Sequence, residues 1–190
     1  LQEAVIGVRM LPVDAVFRRF PRLVRDLSAR LGKQVRLRTV GEGTELDKGL
    51  IEKIADPLVH LVRNSIDHGL EAPDVRRAAG KDETGTITLA ASHQGGHIVI
   101  EVADDGRGLD RARILAKAQE RGLQVPENPT DAQVWDLIFQ PGFSTADQVT
   151  DLSGRGVGMD VVRRNIQALG GEVQLESGIG RGTRVVIRLP

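Results

Sequence analysis

The chain has 190 residues in which 26 Lys+Arg balance 26 Asp+Glu, so its formal net charge is zero and no global field steers it toward nucleic acid or an anionic membrane. No apolar run approaches the ~18 residues of a membrane span, and a sequence without Cys has no disulfide framework, thiol nucleophile or Cys-ligated zinc, which permits a reducing compartment. The length fits one domain, or one domain with a small appendage, and the 22 glycines against 3% aromatics make glycine placement the informative signal.

Residues 1–10 read as the tail of a preceding element, and Pro12 marks a boundary. From Val13 to Leu31 the apolar residues Val16, Phe20, Leu23, Val24, Leu27 and Leu31 recur at helical period, and Gly32 ends the run. QVRLRTV alternates as a strand, and GEGTELDKG reads as a loop. Residues 47–70 are helical by period, with Asp56-Pro57 either restarting the helix or kinking it. A short helix over Ala72–Ala79 follows, then two β runs, TGTITLAAS and HIVIEVAD, joined by the hairpin signal Gln94-Gly95-Gly96. Helices are expected over Arg111–Arg121, Asp131–Phe139 and Val157–Leu169, and EVQLES with TRVVIRLP as closing strands around Gly178–Gly182. This mixture predicts an α/β sandwich rather than a strict βαβ winding.

Five segments carry candidate chemistry. On the 47–70 helix, His60, Asn64 and His68 are spaced four apart with Asp67 beside them, a polar side opposite the Ile/Leu stripe. A solvated face is the alternative, but Asn is a poor helix former and asks for a ligand. DDGRGLD at 104–110 follows a β run and sets two carboxylates beside Gly106 and Gly108, where backbone can approach a ligand closely. A tight turn capped by Asp110 explains those glycines equally well. SGRGVGMDVV at 153–162 is a glycine-alternating loop entering a helix, suited to an anion or to a hinge. It is neither G-x-x-x-x-G-K-[ST] nor the dinucleotide fingerprint. FQPGFSTA at 139–146 has Phe139 and Phe143 around Pro141-Gly142, as in a lid closing over a ligand or a pinned loop, and GIGRGTRVVI enters the last strand.

Taken in order, these blocks resemble the nucleotide-binding superfamily that groups gyrase, Hsp90, histidine kinases and MutL (GHKL). The N-box is the Asn64 helix and the first glycine box is Asp104–Gly108; the phenylalanine box is 139–145, and the second and third glycine boxes are Gly154–Gly158 and Gly180–Thr183. DPLVHLVRNSIDHGLE, FQPGFST and SGRGVGMDVV are similar to the catalytic ATP-binding domain of the CheA family of chemotaxis histidine kinases, and LQEAVIGVRMLP resembles the end of that family's dimerisation helices.

The resemblance implies an α+β fold, a two-layer α/β sandwich of the Bergerat type with a mixed sheet and helices on one face. Residues 1–10 would end the dimerisation segment and 11–190 would form the kinase domain. It implies ATP and Mg²⁺, with Asn64 as metal ligand, His60 as candidate general base where most sensor kinases carry Glu, and Asp104 accepting from the adenine amino group beside Gly106 and Gly108. Arg63, Asp67, His68 and Arg113 would contact ribose or phosphate, Arg113 standing where relatives use Lys. Gly154, Arg155, Gly156, Val157, Gly158 and Met159 would wrap the triphosphate, with Ser144 and Thr183 as polar contacts.

The resemblance further implies transfer of the γ-phosphate to a histidine on a separate phosphoacceptor domain and a response regulator downstream. A coupling protein and chemoreceptor would be reached through further domains of a cytoplasmic homodimer that engages neither nucleic acid nor the membrane interior. Two other functions fit the superfamily: an ATPase clamp of the gyrase, Hsp90 or MutL type, and a non-catalytic nucleotide-binding scaffold. His60 in place of Glu and the continuation Asp67-His68-Gly69 argue against the first, and intact Asn64, Asp104 and glycine boxes against the second.

Overall fold

The computed structural model describes residues 9–143 and 158–190. Strand β1 (Met10–Pro12) leads into helices α1 (Asp14–Phe17) and α2 (Phe20–Leu31), strand β2 (Val35–Val40) and strand β3 (Glu45–Asp47). Helix α3 (Lys48–Asn64) runs into one π-helical turn (Ser65–Gly69), followed by α4 (Pro73–Ala78). The hairpin β4 (Gly85–Gln94) and β5 (His97–Asp104) precedes α5 (Arg111–Glu120), α6 (Asp131–Asp136) and a 3₁₀ turn (Leu137–Phe139). Helix α7 (Met159–Ala168) and the hairpin β6 (Glu172–Gly178) and β7 (Gly182–Leu189) complete the described chain.

Five strands form one sheet in the order β2-β4-β5-β7-β6, with β2 parallel to β4 and every other neighbour antiparallel. Because strand side chains alternate, one row on each strand faces the helices: Ile87 and Leu89, Ile98, Ile100 and Val102, Val185, Ile187 and Leu189. These pack with Ile54, Leu58 and Leu61 of α3, Phe20 and Val24 of α2, and Val162 and Ile166 of α7 in one continuous core. The opposite sheet face carries ion pairs alongside the buried Val99 and Val186. There Arg184 bridges Glu101 and Glu176, and Arg188 donates to Gln174 Oε1 at 2.8 Å. The result is the expected two-layer α+β sandwich with a mixed sheet and helices on one face.

The expected helices and strands are present, except that the run Val13–Leu31 is two helices, α1 and α2, divided by a turn at Arg18-Arg19 where Pro21 opens the second; there are three further physical refinements. First, α3 runs unbroken through Pro57 and is capped by Asp47, whose carboxylate accepts the Leu50 N–H at 3.3 Å, so Asp56 does not start a new helix. An interior Pro costs about 3 kcal/mol. Burial of Ile51 and Ile54 before it and Leu58, Leu61 and Val62 after it keeps both halves in one helix. Second, the segment read as a loop contains β3, which pairs with β1 so that Leu11 lies opposite Leu46, and the Lys48 N–H donates to the Arg9 carbonyl at 2.7 Å. Pro12 is thereby the last residue of a strand, and three-residue strands are too short to show a period. Third, α5 and α6 close over a separate smaller core of Ile114, Ala118, Val134, Trp135, Leu137 and Phe143.

Ile100 is fully buried at the centre of the sheet. Ile100→Ala should cost about 2–5 kcal/mol in urea unfolding, whereas Val40→Ala, on an edge strand and 50% exposed, should stay within about 0.5 kcal/mol.

Candidate functional site

Helix α3 carries His60, Arg63 and Asn64 in its last two turns, all half-buried. The Asn64 amide Nδ2 donates to Met159 Sδ at 3.3 Å, tying the end of α3 to the first residue of α7. The amide oxygen takes no part in that contact. Gly158 precedes α7 as its N-cap residue, so the sequence-predicted Asn64, Gly158 and Met159 meet at one place.

Beyond Asn64 the helix widens into the π turn, in which the Leu70 N–H reaches back five residues to the Ser65 carbonyl at 2.7 Å. Asp67 and His68 stand out into solvent, with His68 Nε2 3.5 Å from Asp67 Oδ2. Their neighbour Gly69 turns inward. The carbonyls of Ile66 and Asp67, orphaned at the helix end, accept from Lys33 Nζ at 2.6 and 2.8 Å. Burial pulls the Lys33 ammonium below its ordinary value, although the charge of Asp67 favours it.

Asp104 ends the inward row Ile98, Ile100, Val102, so the period of two aims its carboxyl at the helical layer. Three glycine backbones close on it. A Cβ on Gly69 would lie 2.9 Å from Asp104 Oδ2, one on Gly106 2.0 Å from the Gly69 carbonyl oxygen, and one on Gly182 1.9 Å from the Asp104 carbonyl oxygen. Hydrogen bonds bind the same segments together. The Arg107 N–H donates to the Gly69 carbonyl at 2.9 Å, the Gly180 N–H to the Arg107 carbonyl at 2.8 Å, and the Leu109 N–H to Ser177 Oγ at 2.8 Å. Ser177 in turn donates to the Gly182 carbonyl at 2.9 Å and lies 3.1 Å from the Thr183 hydroxyl. Burial pushes the Asp104 carboxyl above the ordinary aspartate value, even though the Gly106 N–H, the Ser65 hydroxyl and the Thr183 N–H all donate to it; the charge of Asp105 adds to the rise.

The structure thus brings together Asp104, Gly106, Gly108 and Thr183 where β5 ends beside the β6–β7 turn, and Asn64, Gly158 and Met159 where α3 meets the start of α7. His60 and Arg63 lie in the last two turns of α3. Arg113 is exposed on α5, where its backbone N–H rests on the Asp110 cap at 3.4 Å. Phe139 is buried in the main core under the Arg163 guanidinium, and Phe143 in the smaller core under the Lys117 ammonium, so the expected aromatic anchors are both seated. Ser144, Gly154, Arg155, Gly156 and Val157, with most of the expected lid, lie outside the described residues. Sequence reasoning missed Lys33, Ser65 and Ser177, whose partners are backbone groups or side chains far away in the chain. It also missed the charged group Glu71, Arg76 and Lys81 behind Asp105.

A carboxylate at a strand end, walled by glycine backbone and faced by an asparagine helix, defines a class of nucleotide-binding fold. Residues 53–190 match the family described as histidine kinase-, DNA gyrase B-, and HSP90-like ATPase, and the chain belongs to that family. Within it, the chain is 63% identical over 190 residues to chemotaxis protein CheA of Salmonella typhimurium, covering all of this chain and 28% of that protein. It is 52% identical over 193 residues to chemotaxis protein CheA of Bacillus subtilis, covering all of this chain and 29% of the relative. The chain therefore spans less than a third of the length of these curated relatives. Among solved structures, the catalytic domain of histidine kinase ThkA superposes with a TM-score of 0.60 at 18% identity, over 97% of this chain and 96% of that one, a likeness of fold.

Gly106→Ala should cost at least about 2 kcal/mol in urea unfolding, because the new Cβ meets backbone rather than a flexible side chain. Gly43→Ala, where a Cβ meets nothing within 4 Å, should be nearly neutral.

Proposed function

We propose that the chain is the ATP-binding catalytic domain of a chemotaxis-type histidine kinase, which transfers the γ-phosphate of ATP to a histidine on a separate phosphoacceptor domain. The observation that carries the reading is Asp104 itself: a largely buried acceptor at a strand end, set among glycine backbones too close for side chains, suited to a ligand that presents an N–H donor. The adenine amino group is that donor, with Gly108 beside the ring and Thr183 at its rim. Family membership and the similarity to CheA proteins support the rest of the reading.

Asn64 fits a hard cation. Its amide nitrogen is turned to Met159, so its oxygen remains for a ligand, and among the described residues no cluster of three His, Asp or Glu builds a full protein cage. Mg²⁺ bound chiefly by phosphates and water needs only such a single oxygen. When bound, it would neutralise charge on the phosphates. Phosphate contacts are assigned to Gly158 and Met159 at the start of α7, and to Gly154, Arg155, Gly156, Val157 and Ser144, which precede it in the sequence. Arg63, Asp67, His68 and Arg113 are assigned to ribose or phosphate.

In the transfer, the bond from the γ-phosphorus to the β-phosphate oxygen breaks as a P–N bond forms to the acceptor imidazole, and ADP leaves. His60, one turn before Asn64, takes the proton that the acceptor imidazole gives up from the ring nitrogen not bonded to phosphorus. The acceptor domain, a response regulator, a coupling protein, a receptor and the homodimer belong to the longer protein of this reading, as do residues 1–10 read as the end of a preceding dimerisation segment. A cytoplasmic location is part of the same reading. No described helix is long and apolar enough to cross a membrane.

Two measurements test it. Asn64→Ala should weaken the Mg²⁺-dependent part of ATP binding and abolish transfer to a supplied acceptor domain, while His60→Ala should bind ATP nearly normally with transfer reduced ~10²-fold or more. Parental transfer by His60→Ala would remove the base. The second is pH dependence. Asp104 accepts in its ionised form, and burial raises its pKa, so ATP affinity should fall on acidification at a pH above the ordinary aspartate range. In calorimetric titrations this component should be missing from Asp104→Asn.

A further inference from the structure

We propose that Glu71, Arg76 and Lys81 are positioning residues that hold the Asp104 slot in register and thereby set its preference for an amino-bearing base; this rests on the reading of Asp104 given above. Arg76 is 2% exposed and Glu71 7%, the two charged residues buried this deeply among the described residues. Neither touches the slot directly. A guanidinium is driven that far from water only when its donors are matched. Arg76 Nε donates to the Asp82 carbonyl at 2.6 Å, and Nη1 to Glu71 Oε1 at 2.8 Å and to the Asp105 carbonyl at 3.1 Å, while Nη2 lies 3.3 Å from Asp105 Oδ2.

Lys81 has three ammonium protons and three acceptors: Glu71 Oε2 at 2.8 Å, the Asp105 carbonyl at 3.1 Å and the Gly106 carbonyl at 2.8 Å. The carbonyls of the two residues directly after Asp104 are thus held by two cations, that of Asp105 by both and that of Gly106 by Lys81. Glu71 links the cations, and its carboxyl, which burial alone would raise, is held below its ordinary value by Lys81 and Arg76. The Asp105 carboxylate completes a neutral set and fixes the strand end to β4 by accepting the Thr86 N–H at 2.8 Å. Alternation along the chain then does the rest: with Asp105 turned into the charged group, Asp104 faces the helical layer.

A buried ion network contributes little net stability compared with apolar packing of the same volume, so its value here lies in geometry. Discrimination between bases depends on an acceptor held to a fraction of an ångström, because a misplaced one leaves the base donor and the carboxylate unpaired. The residues assigned to the phosphates at Asn64 and the start of α7 take no part in this network. Loosening the grip therefore weakens recognition of the base and spares recognition of the phosphates.

The experiment is a calorimetric comparison of Mg-ATP with Mg-ITP, whose base carries a carbonyl where adenine has its amino group. The parental chain should prefer ATP. Lys81→Met keeps the stem of a side chain only about one-fifth exposed and should cut ATP affinity about 10-fold while changing ITP affinity less than about 2-fold, so the preference collapses. Glu71→Gln, which keeps an acceptor for Arg76, should move the ratio in the same direction and serves if Lys81→Met fails to fold, with thermal melting as the check on both. In an Asp104→Ala background, Lys81→Met should leave the ratio where Asp104→Ala put it. A parental chain that prefers ATP, with variants that lose ATP and ITP equally, would reduce these residues to simple structural supports and overturn the proposal. A parental chain that takes both nucleotides alike removes the adenine reading, and the proposal falls with it.

Discussion

The tightest constraint in the molecule is the approach of three backbone segments to the Asp104 carboxyl. Gly69 and Gly106 come closer to each other and to the Asp104 carboxyl, and Gly182 closer to the Asp104 main chain, than a Cβ allows, so each segment is defined by what its neighbours tolerate. The π turn supplies Gly69, the strand end supplies Gly106, and the β6–β7 turn supplies Gly182. Hydrogen bonds from Arg107, Gly180 and Leu109 then lock the three together. Much of the local architecture serves to hold this contact, since the π turn needs Lys33 on its open carbonyls and the β6–β7 turn needs Ser177 bridging Leu109 to Gly182.

The parts of this arrangement legible in the sequence are those with a period or a restricted residue type. Apolar spacing located α2, α3 and α7, and alternation located the β4–β5 and β6–β7 hairpins, because burial of one face repeats along an element. The glycine boxes stood out because close backbone approach removes the choice of side chain. Asn64 and Asp104 stood out because an amide on a helix and a carboxylate at a strand end are costly without a partner. What stayed hidden has no repeat. Glu71, Arg76 and Lys81 are spaced by five, and their partners at Asp105 and Gly106 are more than twenty residues further on, so nothing local marks them. The π turn hides inside a helical pattern, where one extra residue in the last turn leaves the stripe intact.

Charge in this protein is balanced in total and specialised in place. Around Asp105 two cations and two anions meet, with Arg76 and Glu71 buried and the Asp105 carboxylate half-exposed, whereas on the other sheet face Arg184 and its glutamates stay partly exposed and contribute at most about 1 kcal/mol per pair. The buried set acts through geometry and the exposed set mainly through solubility. A zero net charge reports neither role.

The β1–β3 ladder has a mechanical meaning. It fastens residues 10–12 to the strand that feeds directly into α3, and the Lys48 N–H on the Arg9 carbonyl adds a bond at the helix start. Seventeen residues of helix, roughly 25 Å, separate that fastening from Asn64. A torque applied to the backbone at residue 9 is therefore delivered to one end of a stiff rod whose far end carries the amide, and a tilt of a few degrees there sweeps Asn64 through about an ångström relative to the strand that bears Asp104.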